Sequence, residues 1–363
     1  MKEQGWEPIL VSADGREIQQ ICRVEGVRHE VVPFVKGANF LEDFISFWRL
    51  FRLIRKERPD VVHSYDSKTG FLGMMASNLA GVPHRIHSIT EMPVNTKEPQ
   101  KGLTLVEKWT YANATKLWVN STGMLSYMIA NSGVESSKFE LLGSGSTLGV
   151  DLEKFNRQAL KENHLVAATM RILPGENDFI ILAIGKLSKR KGVEELVAAF
   201  IKSKIVSRSK LVLIGTFEQE KDPVNQETMQ TIREHPRLVQ LDSTDHVAHY
   251  LALSDVLVHA SHEEGFSNVL LEAAAMQVPI ICSDCVGNTS FIKQQKTGLV
   301  FPIGEVTVLK EALEFAFVKR ETLTNYAEVL FEEVVEKFDR KVMQQLQLEA
   351  YRNLGKYQEK GLP

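Results

Sequence analysis

The sequence predicts an α/β protein of two domains, each a parallel sheet covered by helices. Three observations lead to this. Short apolar runs of strand length alternate with helical patterns of roughly 10 to 15 residues, the order that β-α-β units produce. The chain has 363 residues, more than a single hydrophobic core usually spans. Near its middle, Gly143-Ser144-Gly145-Ser146-Thr147-Leu148-Gly149 interrupts the alternation with the chemistry of a boundary loop.

In chain order, the runs at 8–11, 31–34, 61–63, 85–87 and 117–119 read as strands of the first domain, assigned to 1–155. Residues 152–178 are polar and end in Pro174-Gly175-Glu176-Asn177-Asp178, so they read as irregular chain. The second domain, assigned to 170–338, has strands at 180–184, 211–214, 256–258 and 278–281. Most of these runs are Val, Ile or Leu, as buried strands require. Asp60-Val61-Val62-His63-Ser64 is echoed by Asp255-Val256-Leu257-Val258-His259, which suits two domains of like topology. Val342, Leu346, Leu348 and Leu354 recur at helical spacing, so 340–363 is expected to hold a terminal helix.

Composition removes several function classes. A formal net charge of -3 offers no electrostatic footing for a nucleic-acid partner. The three cysteines, Cys22, Cys282 and Cys285, make no disulfide framework and fit a reducing compartment. Cys282 and Cys285 form a lone Cys-x-x-Cys, read as small apolar filler rather than a redox or zinc site. No apolar stretch approaches the ~20 residues that span a bilayer, and Met1 to Trp6 lacks a signal-peptide core. A cytoplasmic location is expected, at most peripheral to the inner face of the membrane. The segment Phe40 to Arg58 bears on that point. Phe44, Phe47, Trp48, Phe51 and Ile54 form an apolar stripe among Arg49, Arg52, Arg55, Lys56 and Arg58. Such a stripe is more often a core face, with interfacial binding as the other reading.

The most informative segment runs from Ser261 to Glu272. The strand 256–258 precedes it, and after Gly265 a helix opens with Ser267 or Asn268 as N-cap and Leu270, Leu271 and Ala274 as its apolar face. Free N–H groups at such an opening suit a phosphate. Glu264 precedes the opening and Glu272 lies about one turn inside it, leaning back toward the N-terminus. Two carboxylates beside a phosphate site fit a ligand with both phosphates and hydroxyls, such as a sugar nucleotide. A second constellation is Gly185-Lys186-Leu187-Ser188-Lys189-Arg190-Lys191-Gly192, where a strand gives way to a cationic loop and then a helix. Cations at the carboxyl end of a parallel strand suit a diphosphate.

These two segments resemble the signatures of retaining glycosyltransferases of family 4, also described as group 1, which have the GT-B fold: two Rossmann-like domains facing a central cleft. Glu264 to Glu272 is similar to the family's Glu-x7-Glu, and Lys191-Gly192 to its Lys-Gly. Lys186 stands where arginine is usual, which replaces a planar fork by a point charge. The resemblance continues through Arg58 to Ser64, Lys68 to Gly73, Gly149-Val150-Asp151, Leu213-Ile214-Gly215 and Thr297 to Val300, so it spans nearly the whole chain.

The resemblance implies a transferase moving a sugar from a nucleotide-diphosphate donor, a UDP-sugar by preference, to a glycan or polyprenyl-linked acceptor in surface-polysaccharide assembly. Glu264 and Lys191 are the implied catalytic residues. Gly185, Lys186, Lys191, Gly265, Phe266, Ser267, Asn268 and Glu272 are the implied donor contacts, with Glu272 on the ribose. Neither a cofactor nor an essential metal is expected. The terminal helix is expected to pack back on the first domain.

Three departures accompany the match. Met1 is expected to fall inside the first helix, after the family's opening strand and Gly-rich loop. Thr90 or Glu91 stands in the region where many relatives place a histidine, with His87 read as a core residue. Leu148 replaces an asparagine common in relatives. Two rival readings are a sugar-nucleotide epimerase of related fold and a non-catalytic partner protein with the same architecture.

Overall fold

The computed structural model describes residues 1, 5–35, 37, 39–92, 103–172, 175 and 177–354. Pro93, Pro174, Glu176 and 355–363, on which some of these expectations fall, lie outside the described residues. The chain forms two compact units. One comprises Met1–Asn120, Leu125–Leu142 and Leu346–Pro363, the other Ser121–Met124 and Gly143–Gln345.

In the first unit, β1 (Ile9–Ser12) pairs in parallel with β2 (Arg28–Val31). A four-stranded parallel sheet has the order β3 (Val61–Ser64), β4 (His84–Ile89), β5 (Lys116–Val119) and β6 (Phe139–Leu141). Two expectations change here. The second strand ends at Val31 instead of beginning there, because Pro33 has no N–H to donate to a ladder. Met1 and Gly5 to Pro8 are not helical; the next element is β1, and the first helix, Arg16–Glu25, follows it.

Helix Phe40–Glu57 starts at Asn39, whose side chain accepts from the Glu42 N–H, and stops at Arg58 in left-handed conformation. The predicted stripe divides in two. Leu50 and Ile54 are buried against Leu72, Ala76 and Val82, with Phe47 and Phe51 packed beside them. Phe40, Leu41, Phe44 and Trp48 point outward, with exposures of 93%, 76%, 66% and 41%. The helix therefore serves the core with one face and leaves its N-terminal half apolar and uncovered. At the far end of the chain, helix Arg340–Asn353 carries Tyr351, whose hydroxyl reaches His63 Nδ1 at 2.5 Å within this unit.

The second unit has a six-stranded, all-parallel sheet. Its strands are β7 (Phe179–Ile184), β8 (Ser209–Ile214), β9 (Leu238–Leu241), β10 (Val256–His259), β11 (Ile280–Ser283) and β12 (Leu299–Phe301). Their order is β12-β11-β10-β7-β8-β9. The chain thus builds outward from β7 through β9, then returns to the other side of β7 to place β10. That reversal between β7 and β10 is the topological switch point of a Rossmann sheet, and ligands bind beyond the strand ends there.

Each face of this sheet has its own core. Ile180, Leu182, Val212 and Leu257 belong to one buried cluster. Ile181, Leu211, Leu213, Val256 and Val258 belong to the other. The period-2 alternation feeds both layers, which is why the strands read as unbroken apolar runs.

The segment 152–178 is not uniformly irregular as its polarity suggested. Glu162–Ile172 is a helix, held by Ala168 and Ile172 at i, i+4, both buried in the first of these clusters. β11 begins two residues later than expected, because Pro279 offers only its carbonyl, which accepts from the Leu257 N–H.

Candidate active site

The two loops at the switch point are locked together by backbone. β7 ends at Ile184, and Gly185 turns the chain at φ 138. The cationic loop closes at Gly192, in left-handed conformation (φ 69) as the residue before helix Val193–Ile201. A Cβ at Gly192 would lie 2.1 Å from the carbonyl oxygen of Ala260, just past β10. The His262 N–H donates to the Arg190 carbonyl at 2.8 Å. Beyond the β10 loop, the Gly287 N–H donates to the Glu264 carbonyl at 3.1 Å, and a Cβ at Gly287 would sit 2.5 Å from that oxygen. Glycine at both places lets three strand-end loops approach to backbone contact.

This scaffold brings Lys191 and Glu264 together. Lys191 Nζ donates to Glu264 Oε1 at 2.5 Å, and His259 Nε2 lies 3.0 Å from the same oxygen. Burial pushes the Glu264 carboxyl up, but the His259 hydrogen bond and charge, with those of Lys191, outweigh it and hold the group at about 2. Glu264 is therefore a fixed carboxylate across the physiological range. Both bonds fall on Oε1, which leaves the lone pairs of Oε2 for a ligand hydroxyl.

Glu272 is the opposite case. It lies in helix Asn268–Ala275, whose preceding residue, Ser267, makes no side-chain capping bond. Burial raises its carboxyl to about 7 against the opposing charges of Lys154 and Arg340. With a folded-state value above the unfolded one, its stabilising contribution is complete below about 4.5 and lost as pH rises through about 7. Glu272→Gln should remove that loss. Melting temperatures of the two proteins, measured from pH 4.5 to 8, are expected to converge at low pH and separate in favour of the variant above 7. Parallel curves would refute the assignment.

The remaining expected contacts divide. Lys186 ends in an ion pair with Glu218 at 2.8 Å, which holds the Glu218 carboxyl at about 2. Arg190 lies 3.6 Å from both Asp222 and Glu263. The Phe266 ring turns into the core, 5.6 Å from the rings of Phe291 and Phe338, so it offers a ligand only backbone. Gly265 and Ser267 are buried and Asn268 is exposed. Cys282 and Cys285 are free and buried, and burial raises both thiols, Cys285 to about 11.

His259 was not anticipated as part of the site. Its only signal was its place as the last residue of the strand that precedes Glu264. His262, bonded to Glu195 at 2.9 Å, lies in the loop past that strand, and its partner is 67 positions away in sequence.

The first unit has its own cavity, about 450 Å³, at the carboxyl ends of β3 and β4. Tyr65, Asp66, Thr90, Glu91, Glu107 and Tyr111 are among its lining residues. Thr90 and Glu91 thus both border it. His87 also lines it but is 5% exposed, bonded to Ser64 Oγ at 2.9 Å, and its imidazole is lowered to about 4 by burial. Its ring occupies the space a Cβ at Gly70 would enter, 2.5 Å away.

Two α/β units, one with a Rossmann strand order and a lysine–glutamate pair at its switch point, define a glycosyltransferase of the GT-B class. The comparisons agree. Residues 170–329 match the family of glycosyl transferases group 1, and residues 1–145 match the glycosyl transferase 4-like domain. Between them, these two matches span most of the chain.

Among its relatives, the capsular polysaccharide biosynthesis glycosyltransferase CapM of Staphylococcus aureus is 27% identical over 319 residues, 86% of this chain and 81% of that protein. A UDP-Gal:alpha-D-GlcNAc-diphosphoundecaprenol alpha-1,3-galactosyltransferase of Escherichia coli is 28% identical, covering 82% of this chain and 79% of its own length. The crystal structure of Anabaena Alr3699/HepE in complex with UDP and glucose superposes with a TM-score of 0.80 at 15% identity, over 95% of this chain and 91% of that one. Among the described residues, no helix is long and apolar enough to cross a membrane.

Proposed function

We propose that the protein transfers a sugar, with retention of anomeric configuration, from a UDP-sugar to a polyprenyl-diphosphate-linked glycan during surface-polysaccharide assembly. The observation that carries this reading is the Lys191–Glu264–His259 cluster at the switch point. The Lys191 ammonium has three donors, and Glu264 takes one, leaving two for phosphate oxygens. Positive charge beside the leaving diphosphate stabilises the charge that develops there. Lys186 adds a second cation, and N–H groups of Gly265 to Asn268 add dipoles. The diphosphate charge is met by these groups, without an essential metal.

Glu264, held ionised at about 2, accepts hydrogen bonds from sugar hydroxyls and positions the anomeric carbon; it has no proton to give. Glu272 accepts from the ribose. The departing phosphate takes the acceptor's proton on the face it leaves, so the new bond forms on that same face. Polyprenyl-linked acceptors are named for several relatives, and the capsular role of another supports the pathway class.

The test is a panel of UDP-sugars with a polyprenyl-diphosphate-linked acceptor, followed by proton NMR of the product. UDP release and an α-linked product from an α-configured donor are expected. A β-linked product would overturn retention, and release of UDP from no donor in the panel would overturn the donor assignment.

The uncovered half of helix Phe40–Glu57 supports contact with the membrane that holds such an acceptor. Phe40, Leu41, Phe44 and Trp48 are exposed, and Arg49, Arg52, Arg55 and Lys56 are exposed beside them. Arg52 packs over the Trp48 ring at 5.3 Å. Aromatic insertion with basic flanks suits an anionic bilayer, at about 1 kcal/mol per basic residue near the surface. In flotation assays the protein should rise with anionic vesicles and stay down with neutral ones, and Phe44→Ser with Trp48→Ser should abolish flotation.

A further inference from the structure

Apart from the loops at the switch point, the second unit gathers three histidines. His164 lies in the first turn of helix Glu162–Ile172, His246 immediately precedes helix Val247–Leu253, and His249 is the third residue of that helix. A ring nitrogen from each lies within 4.8 Å of the other two. The ring centroids are 4.3 Å apart for His164 and His246, 5.4 Å for His164 and His249, and 5.6 Å for His246 and His249.

His249 is the telling member. It is 8% exposed, yet among the described residues neither Nδ1 nor Nε2 has a hydrogen-bond partner. A neutral imidazole carries one N–H and one lone pair, and buried polar atoms are ordinarily satisfied. Here the unsatisfied ring faces two other imidazoles. Three imidazoles whose lone pairs can converge repel one another as cations and cooperate as ligands.

The donor set selects the ion. No carboxylate belongs to the cluster, so hard oxygen-seeking cations such as Ca²⁺ and Mg²⁺ are disfavoured. Imidazole nitrogen suits zinc and its first-row neighbours. Bond lengths of about 2.0–2.1 Å to nitrogen place tetrahedral ligands about 3.4 Å apart, so the rings must close in by roughly an ångström. His246 is exposed and His164 half-exposed, and both can swing toward the buried His249.

We propose that His164, His246 and His249 form a binding site for a divalent transition metal of the zinc type, with water completing the coordination shell. The ion would join helix Glu162–Ile172 to helix Val247–Leu253. These helices already share a core through Ala168, Ile172, Ala248 and Leu251. Its role is structural, since the site is built from different loops and helices than the Lys191–Glu264 cluster.

The test uses the full chain without an affinity tag, stripped of metal by chelation. Zn²⁺ is titrated by calorimetry, and Co²⁺ is followed by its visible absorption. One ion per chain is expected, with a tetrahedral cobalt spectrum and a higher melting temperature. His246→Ala, at an exposed position whose side chain makes no capping bond, should weaken binding about 100-fold or more. His249→Gln, which keeps a polar group of similar reach, should weaken it likewise. Absence of stoichiometric binding to the wild type would overturn the proposal. So would binding that persists undiminished in both variants, or that is lost on Cys285→Ser instead.

Discussion

Lys191→Ala is expected to lower kcat about 10²- to 10³-fold, with a much smaller change in KM for the donor. The magnitude is that of removing one preorganised group from developing negative charge in a water-poor site. The backbone fixes where the lysine side chain starts, and a carboxylate fixes where it ends. Gly192 presses the end of its loop onto Ala260, and Glu264 holds the amine at 2.5 Å. In the variant Glu264 keeps His259 as a partner, so the fold should survive and the loss should appear in the chemical step. Lys191→Arg should recover little, because the longer, planar guanidinium cannot place its charge where the compact ammonium meets Glu264 without displacing the carboxylate. Steady-state kinetics on the three proteins checks this; an unchanged kcat in Lys191→Ala would remove the residue from the mechanism.

Gly192→Ala should be among the most damaging small substitutions in the second unit. The new Cβ would lie 2.1 Å from the Ala260 oxygen and 2.6 Å from the Ala260 Cβ, at a φ of +69 that L-residues rarely adopt. Left-handed conformation costs about 1–2 kcal/mol, and forced overlap in packed surroundings adds about 1–3 kcal/mol. Gly133→Ala is the matched control, with nearly the same φ of +68 but nothing within 4 Å. Because Gly133 lies in the first unit and Gly192 in the second, each loss is read from its own unit's unfolding transition, and the excess in Gly192→Ala reports chiefly the contact with Ala260. About 2 kcal/mol is expected from the overlap range; equal losses would mean that the two loops are not held together there. Because Lys191 is next in sequence, kcat should fall with stability in Gly192→Ala and not in Gly133→Ala.

Much of this architecture could be read from the sequence where physical chemistry acts locally. Strands such as 180–184 and 256–258 were legible because a sheet buried on both faces needs apolar side chains at every position. β6 and β9 were not legible. They lie at the edges of their sheets, with three and four residues and only partial burial. Helix Glu162–Ile172 was hidden for a similar reason, since only Ala168 and Ile172 are fully buried. At the site, Glu264, Lys191 and Glu272 were read from local strand–loop–helix signals and lie at or beside the switch point. The pairing of Lys191 with Glu264 was not readable, since it crosses 73 positions of sequence. The direction of the Phe266 side chain was likewise unreadable from its place in the motif: its bulk sends the ring to the core, leaving its backbone N–H at the helix opening.

The cationic loop has a further consequence for turnover. Lys186, Arg190 and Lys191 each face an acidic partner, Glu218, Asp222 with Glu263, and Glu264 respectively. In the proposed reaction a diphosphate would share these cations with carboxylates already in place, and the carboxylates would hold them again once the nucleotide departed. The loop would then act as a charge exchanger rather than an anion trap.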